Sequence, residues 1–164
     1  MKFLGWMYEF AISAWIRESD WGHPLMLCFH ALGMAVVVGV VVVLSLRVAS
    51  GWPKGLTPES FDGLLRLAQI GFLVNFASGL ILFIANGPSL TLNWTFQLKI
   101  ALIVAGGLSV LLMWRMIKGP AGLAIAQGAV PMSARIVAAL TIAFWLAAIV
   151  AGRYIAYTLQ KVFV

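Results

Sequence analysis

Residues 24–48 read PLMLCFHALGMAVVVGVVVVLSLRV, an unbroken apolar stretch with one imidazole, His30, and one full charge, Arg47, near its end. Its length exceeds the roughly 20 residues needed to cross ~30 Å of hydrocarbon at ~1.5 Å per residue. Ser19 or Asp20 can cap its start. Pro24 suits its first turn, where a backbone N–H would lack a helical partner anyway.

Three similar runs follow, at about 64–85, 94–117 and 134–158. Breakers separate them: the Gly- and Pro-rich loop from Ser50 to Pro58, then Asn86-Gly87-Pro88, then Lys118-Gly119-Pro120. Hydrophobic residues make up 63% of the 164-residue chain and charged residues 10%. A soluble domain has roughly 45–50% apolar and 25% charged residues. The expectation is an all-α integral membrane four-helix bundle, with a transmembrane domain over 23–164 and no separate soluble domain.

The opening segment, 1–22, is apolar but too short to span and is interrupted by Glu9. With Trp6, Tyr8 and Trp15 as anchors, Lys2 to Ile16 reads as an amphipathic helix on the membrane surface, retained rather than cleaved. The connection from Gly119 to Ser133 reads as a second short interfacial segment.

The net charge of +6 comes from eleven Lys and Arg residues scattered around helix ends, with no basic, aromatic-interleaved stretch for a nucleic-acid partner. Arg47, Lys54, Arg66, Arg115, Lys118 and Arg135 cluster around the loops after the first and third runs, and the loop 86–95 has no basic residue. The positive-inside rule then predicts a multi-pass protein of a bacterial inner membrane with both termini periplasmic. Cys28 is the single cysteine, which excludes an internal disulfide and reads as a buried apolar filler. Small residues recur at Ala31, Ala35 and Gly39, at Gly71 and Gly79 around Asn75, and at Ala139, Ala143, Ala147 and Ala151. Such rows mark helix-packing faces in lipid.

Ionisable groups inside the runs are few. Counting from the outer helix ends, His30 lies six residues deep, Lys99 five and Arg153 seven, all roughly 8–10 Å below the interface. Asn75 is nearer mid-membrane and can hydrogen-bond from below. A charge near the bilayer centre costs about 2.5–3.5 kcal/mol on insertion scales, so such residues often serve a partner or ligand. The competing reading is that Lys99 and Arg153 snorkel to headgroups while His30 bonds a neighbouring helix.

The candidate cofactor-binding set is therefore His30, Lys99, Arg153 and Asn75. His30 would ligate a haem b iron, with a Met, a water or a symmetry-related His opposite. Lys99 and Arg153 would hold propionates or a quinone headgroup. His23 and His30 share a face ~10.5 Å apart, too far to serve one iron together. Met26 and Met34 flank His30, and a His23, His30, Met26, Met34 stripe is ligand chemistry that Cu(I) prefers, so copper is the alternative metal. No carboxylate falls beside either histidine within a run, and hydrolase and phosphate-loop motifs are absent, which argues against a self-contained enzyme.

The stretch from His30 through Gly33, Gly39 and Arg47, then Gly79-Leu80-Ile81-Leu82-Phe83, Phe96-Gln97-Leu98-Lys99 and Gly152-Arg153-Tyr154-Ile155-Ala156-Tyr157, resembles a bacterial family of small four-helix membrane proteins catalogued as domain of unknown function 6644. That resemblance implies no established activity. More remotely, the early His and later Phe-x-x-Lys look like the copper-resistance D and cytochrome b561-type bundles, which imply haem or copper and electron transfer. The chain lacks the paired histidines of the cytochrome bundles. Where the nearer family often carries Asp, this chain has Ser45.

Two functions follow as expectations. One is a haem-b-type protein, or the membrane subunit of a small redox assembly working with a redox protein or quinone. The other is a cofactor-free bundle serving as a structural or interaction subunit, as a homo-oligomer or in a larger complex.

Overall fold

Val36 to Val43, with Gly39 its one interruption, would favour a strand in water. In hydrocarbon the backbone has no water to bond, so a single segment satisfies its N–H and C=O groups only as a helix. The computed structural model, which describes residues 10–52, 58–127 and 129–159, places this stretch inside a 29-residue helix. Six helices form among the described residues: α1 Ala11–Glu18, α2 Gly22–Ser50, α3 Pro58–Thr91, α4 Trp94–Lys118, α5 Ala121–Ala126 and α6 Met132–Leu159. Four of them, α2, α3, α4 and α6, are long and apolar enough to cross a membrane. The chain is a helical membrane bundle.

Local chemistry sets the ends. Trp21, not Ser19 or Asp20, takes the N-cap position of α2 and makes no side-chain cap, while Ser19 Oγ accepts the Gly22 N–H at 3.2 Å from two residues upstream. Gly51 ends α2 at φ 77°, a left-handed conformation that glycine adopts at little cost, and its N–H returns to the Arg47 carbonyl at 3.0 Å. Asn93 starts α4: its Oδ1 accepts the N–H groups of Thr95 and Phe96 at 3.0 and 3.2 Å.

Asn86-Gly87-Pro88 does not stop α3, contrary to the sequence expectation; the helix continues to Thr91. Proline at position 88 removes the donor that would bond the Ile84 carbonyl. Ser13 of α1 supplies a hydroxyl to that carbonyl at 3.5 Å. Asn86 Nδ2 donates to the Leu82 carbonyl and Ser89 Oγ to that of Asn86, at 3.1 and 2.9 Å. The Ser13 hydroxyl thus reaches the one carbonyl that the proline frees, the usual condition for proline inside a membrane helix. The same bond helps seat α1, whose Ser13 and Ile16 are buried while Ile12 and Trp15 stay exposed. The rest of the expected surface helix, residues 2–9, lies outside the described residues.

The helices pack chiefly as two pairs, α2 along α3 and α4 along α6, joined through α2 and α6; α3 and α4 touch sparsely. One core cluster, with Leu44, Val48, Phe61, Met113 and Ala138, lies towards the basic end, where Ile125 of α5 covers it. The Gly119–Ser133 connection therefore contains a short helix that serves this core. A second cluster of Val37, Val38, Val41 and Trp145 fills mid-bundle. Large apolar residues such as Leu32, Leu73, Leu108 and Val150 face outward, as suits a lipid surround.

Of the small-residue rows, Gly71 and Gly79 do face α2, where a Cβ would meet Val36 at 2.8 Å and His30 at 2.9 Å respectively, but the other two rows need correction. Ala31, Ala35 and Gly39 are exposed, and a Cβ on Gly39 would meet nothing within 4 Å. In α6 the packed alanines are Ala134, Ala138, Ala148 and Ala151, while Ala139 and Ala143 are exposed. Cys28, expected inside, is also exposed. Facing lipid costs these small apolar groups little, so their spacing marks no buried face.

Candidate functional site

The close approach of α2 and α3 builds the polar centre. A Cβ on Gly33 would lie 2.6 Å from the Asn75 nitrogen and 2.7 Å from the Gly71 carbonyl oxygen. Only glycine lets these backbones meet at that separation. At this crossing Asn75 Nδ2 donates to the His30 carbonyl at 2.7 Å, and His30 Nδ1 lies 2.9 Å from the Asn75 carbonyl oxygen.

A carbonyl oxygen only accepts, so Nδ1 carries the proton in this bond. The Ser78 hydroxyl, 3.3 Å from Nδ1, donates to the Val74 carbonyl at 2.7 Å. A neutral imidazole protonated at Nδ1 presents a lone pair at Nε2. Lys99 Nζ stands 3.2 Å from Nε2 and donates to it. Gly79 makes room for the ring, since a Cβ there would come within 2.9 Å of His30 Cε1. Gly152 of α6 makes room for the lysine: a Cβ there would lie 3.3 to 3.4 Å from Lys99 Cε, Cδ and Nζ. All four long helices meet at this point.

Of the four proposed cofactor-binding residues, the fold brings His30, Asn75 and Lys99 together. Arg153 is exposed on α6 and bonds neither His30 nor Lys99. Equal depth did not give equal direction. Arg153 is turned about 100° around the helix from Gly152, the residue that meets Lys99.

The same geometry tests the cofactor readings. With Nδ1 bonded to a carbonyl, Nε2 is the ligand atom His30 could offer a metal, and the Nδ1–H bond is the kind that orients ligating histidines. Yet the Lys99 ammonium lies on Nε2, and a like charge there opposes a bound cation. As arranged, His30 does not fit an iron or copper ion; Lys99 would first have to leave. His23 is exposed, and Met34 packs beside Val37, Val41 and Trp145. No group of three His, Cys, Asp or Glu side chains suited to a metal occurs among the described residues.

Sequence reading missed a second polar knot. Asn93, capping α4, also donates from Nδ2 to Thr158 Oγ1 of α6 at 2.9 Å, and Thr95 Oγ1 lies 2.7 Å from the same hydroxyl. Asn immediately before an apolar run was the available signal. Asp62, expected outside the runs, belongs to α3 and pairs with Lys118 of α4 at 2.7 Å.

No family model, curated protein or solved structure matches the chain.

Proposed function

We propose that this chain is a cofactor-free membrane bundle acting as a structural or interaction subunit of a larger membrane complex. The observation that carries the reading is the engagement of both His30 ring nitrogens inside the bundle, Nδ1 with the Asn75 carbonyl and Nε2 with Lys99. A histidine so engaged joins helices, and the lysine that would otherwise sit uncompensated gains an acceptor. The basic loops favour a cytoplasmic membrane with both termini on the periplasmic side.

Expression with haem and copper supplied, followed by purification, tests this. The expected product shows no Soret band and holds no stoichiometric copper. A Soret band that disappears in His30→Ala would overturn the proposal and restore the haem reading.

A second reading, a redox subunit that holds a quinone headgroup, has one observation in its favour. The Lys99 ammonium has three N–H donors, and His30 is its hydrogen-bond partner among the described residues. A quinone carbonyl could accept another. Saturable quinone binding that Lys99→Gln weakens would support this second reading.

A further inference from the structure

The sparse contact between α3 and α4 leaves a groove of about 1170 Å³, larger than the 300–1,000 Å³ typical of small-molecule sites. Its floor is Val37, Val41 and Trp145, and its α4 wall runs from Ile103 to Trp114. Eleven residue steps at ~1.5 Å make it about 16 Å long, roughly half of a ~30 Å hydrocarbon core.

Both ends are crossed. Beyond one end Phe83 stacks on Phe96 with centroids 5.6 Å apart, close to where α3 turns into α4. At the other, Lys118 reaches Asp62 across the two helices. The long side lies open, with Leu73, Val104 and Leu108 on its rims more than half exposed. A transmembrane helix needs the full thickness and would collide with these crossings. A lipid chain of one leaflet needs half of it and can enter sideways.

Charge selects among lipids. At the basic end a single carboxylate, Asp62, stands against two cations, Lys118 at 2.7 Å and Arg66 nearby, so the rim keeps a net positive charge, with exposed Arg66 lining the groove. A guanidinium at headgroup level binds phosphate through charge-assisted hydrogen bonds, and basic residues there favour anionic lipids. We propose that the α3–α4 groove is a binding site for an anionic phospholipid, its chains lying along Val37, Val41 and Trp145 and its headgroup on Arg66.

This inference does not depend on the role given to His30. Gly107 supplies the test, because it lines the groove and a Cβ there would meet nothing within 4 Å. A leucine at that position adds bulk to the groove from a Cβ with open space around it. The full chain is purified in mild detergent with phosphatidylglycerol and phosphatidylcholine of matched chains, and retained lipid is counted by native mass spectrometry.

The wild type is expected to retain phosphatidylglycerol several-fold over phosphatidylcholine. Arg66→Gln should abolish that preference, and Gly107→Leu should lower retention of both lipids while helicity and particle size persist. Equal retention of the two lipids by the wild type would overturn the site, as would phosphatidylglycerol retention unchanged in both variants. A dimer that Gly107→Leu dissociates would assign the groove to a second copy instead. Should Gly107→Leu fail to fold, Arg66→Gln alone decides, since that side chain is exposed.

Discussion

His30 and Asn75 hold one another across the α2–α3 crossing, each side chain donating to the other residue's backbone carbonyl, at 2.9 and 2.7 Å. Interhelical hydrogen bonds in membranes average about 0.6 kcal/mol and reach about 1.7. Asn75→Leu removes one of the pair and disturbs the crossing that positions the other. It should lower unfolding stability in mixed micelles by about 0.6–1.7 kcal/mol; an unchanged unfolding curve would show that the pair adds nothing.

The glycine crossing makes a sharper comparison. Gly33→Ala would place a Cβ 2.6 Å from the Asn75 nitrogen, and backbone cannot yield as a flexible side chain does. Overpacking of this kind costs about 1–3 kcal/mol. Gly39→Ala, on the same helix with open space around it, should be neutral or slightly stabilising through helix propensity. Equal effects of the two substitutions, read by the same unfolding assay, would contradict the packing described.

Asn93→Ala removes the α4 cap and a bond to Thr158 together. Loss of an N-cap alone costs about 0.5–2 kcal/mol. Amide hydrogen exchange should therefore accelerate in the first turn of α4 and the last turn of α6, leaving the opposite ends of both helices unaffected. Acceleration confined to α4 would mean that the Thr158 tie carries no weight.

The four spans were legible because lipid imposes length and apolarity on each of them, whatever the local propensity of a run such as Val40–Val43. The pairing of His30 with Lys99 was half legible. Counting residues gives depth, and depth brought Arg153 into the same layer, but direction around a helix depends on packing that membrane sequences encode weakly. Gly33 and Gly39 illustrate this: both are glycines on α2, and only one meets a neighbouring helix. Pro88 misled for a different reason, since Ser13 supplies a donor to the Ile84 carbonyl it frees, 71 residues further along the sequence from that serine.

Topology has its own test. In a Cys28→Ser background, Leu92→Cys, at an exposed turn between α3 and α4, should react with an impermeant thiol reagent in intact spheroplasts. Ser50→Cys, exposed at the basic end of α2, should react only after the membrane is opened. The reverse pattern would place the His30–Lys99 centre on the cytoplasmic side.

Nitrogen-15 NMR of histidine-labelled protein in bilayers tests the central claim most directly, because protonated and unprotonated ring nitrogens resonate far apart. The arrangement described gives His30 a protonated Nδ1 and an unprotonated Nε2, with a through-space correlation from Nε2 to the Lys99 ammonium that disappears in Lys99→Met. A protonated Nε2, or a His30 signal shifted and broadened by a bound metal, would contradict it.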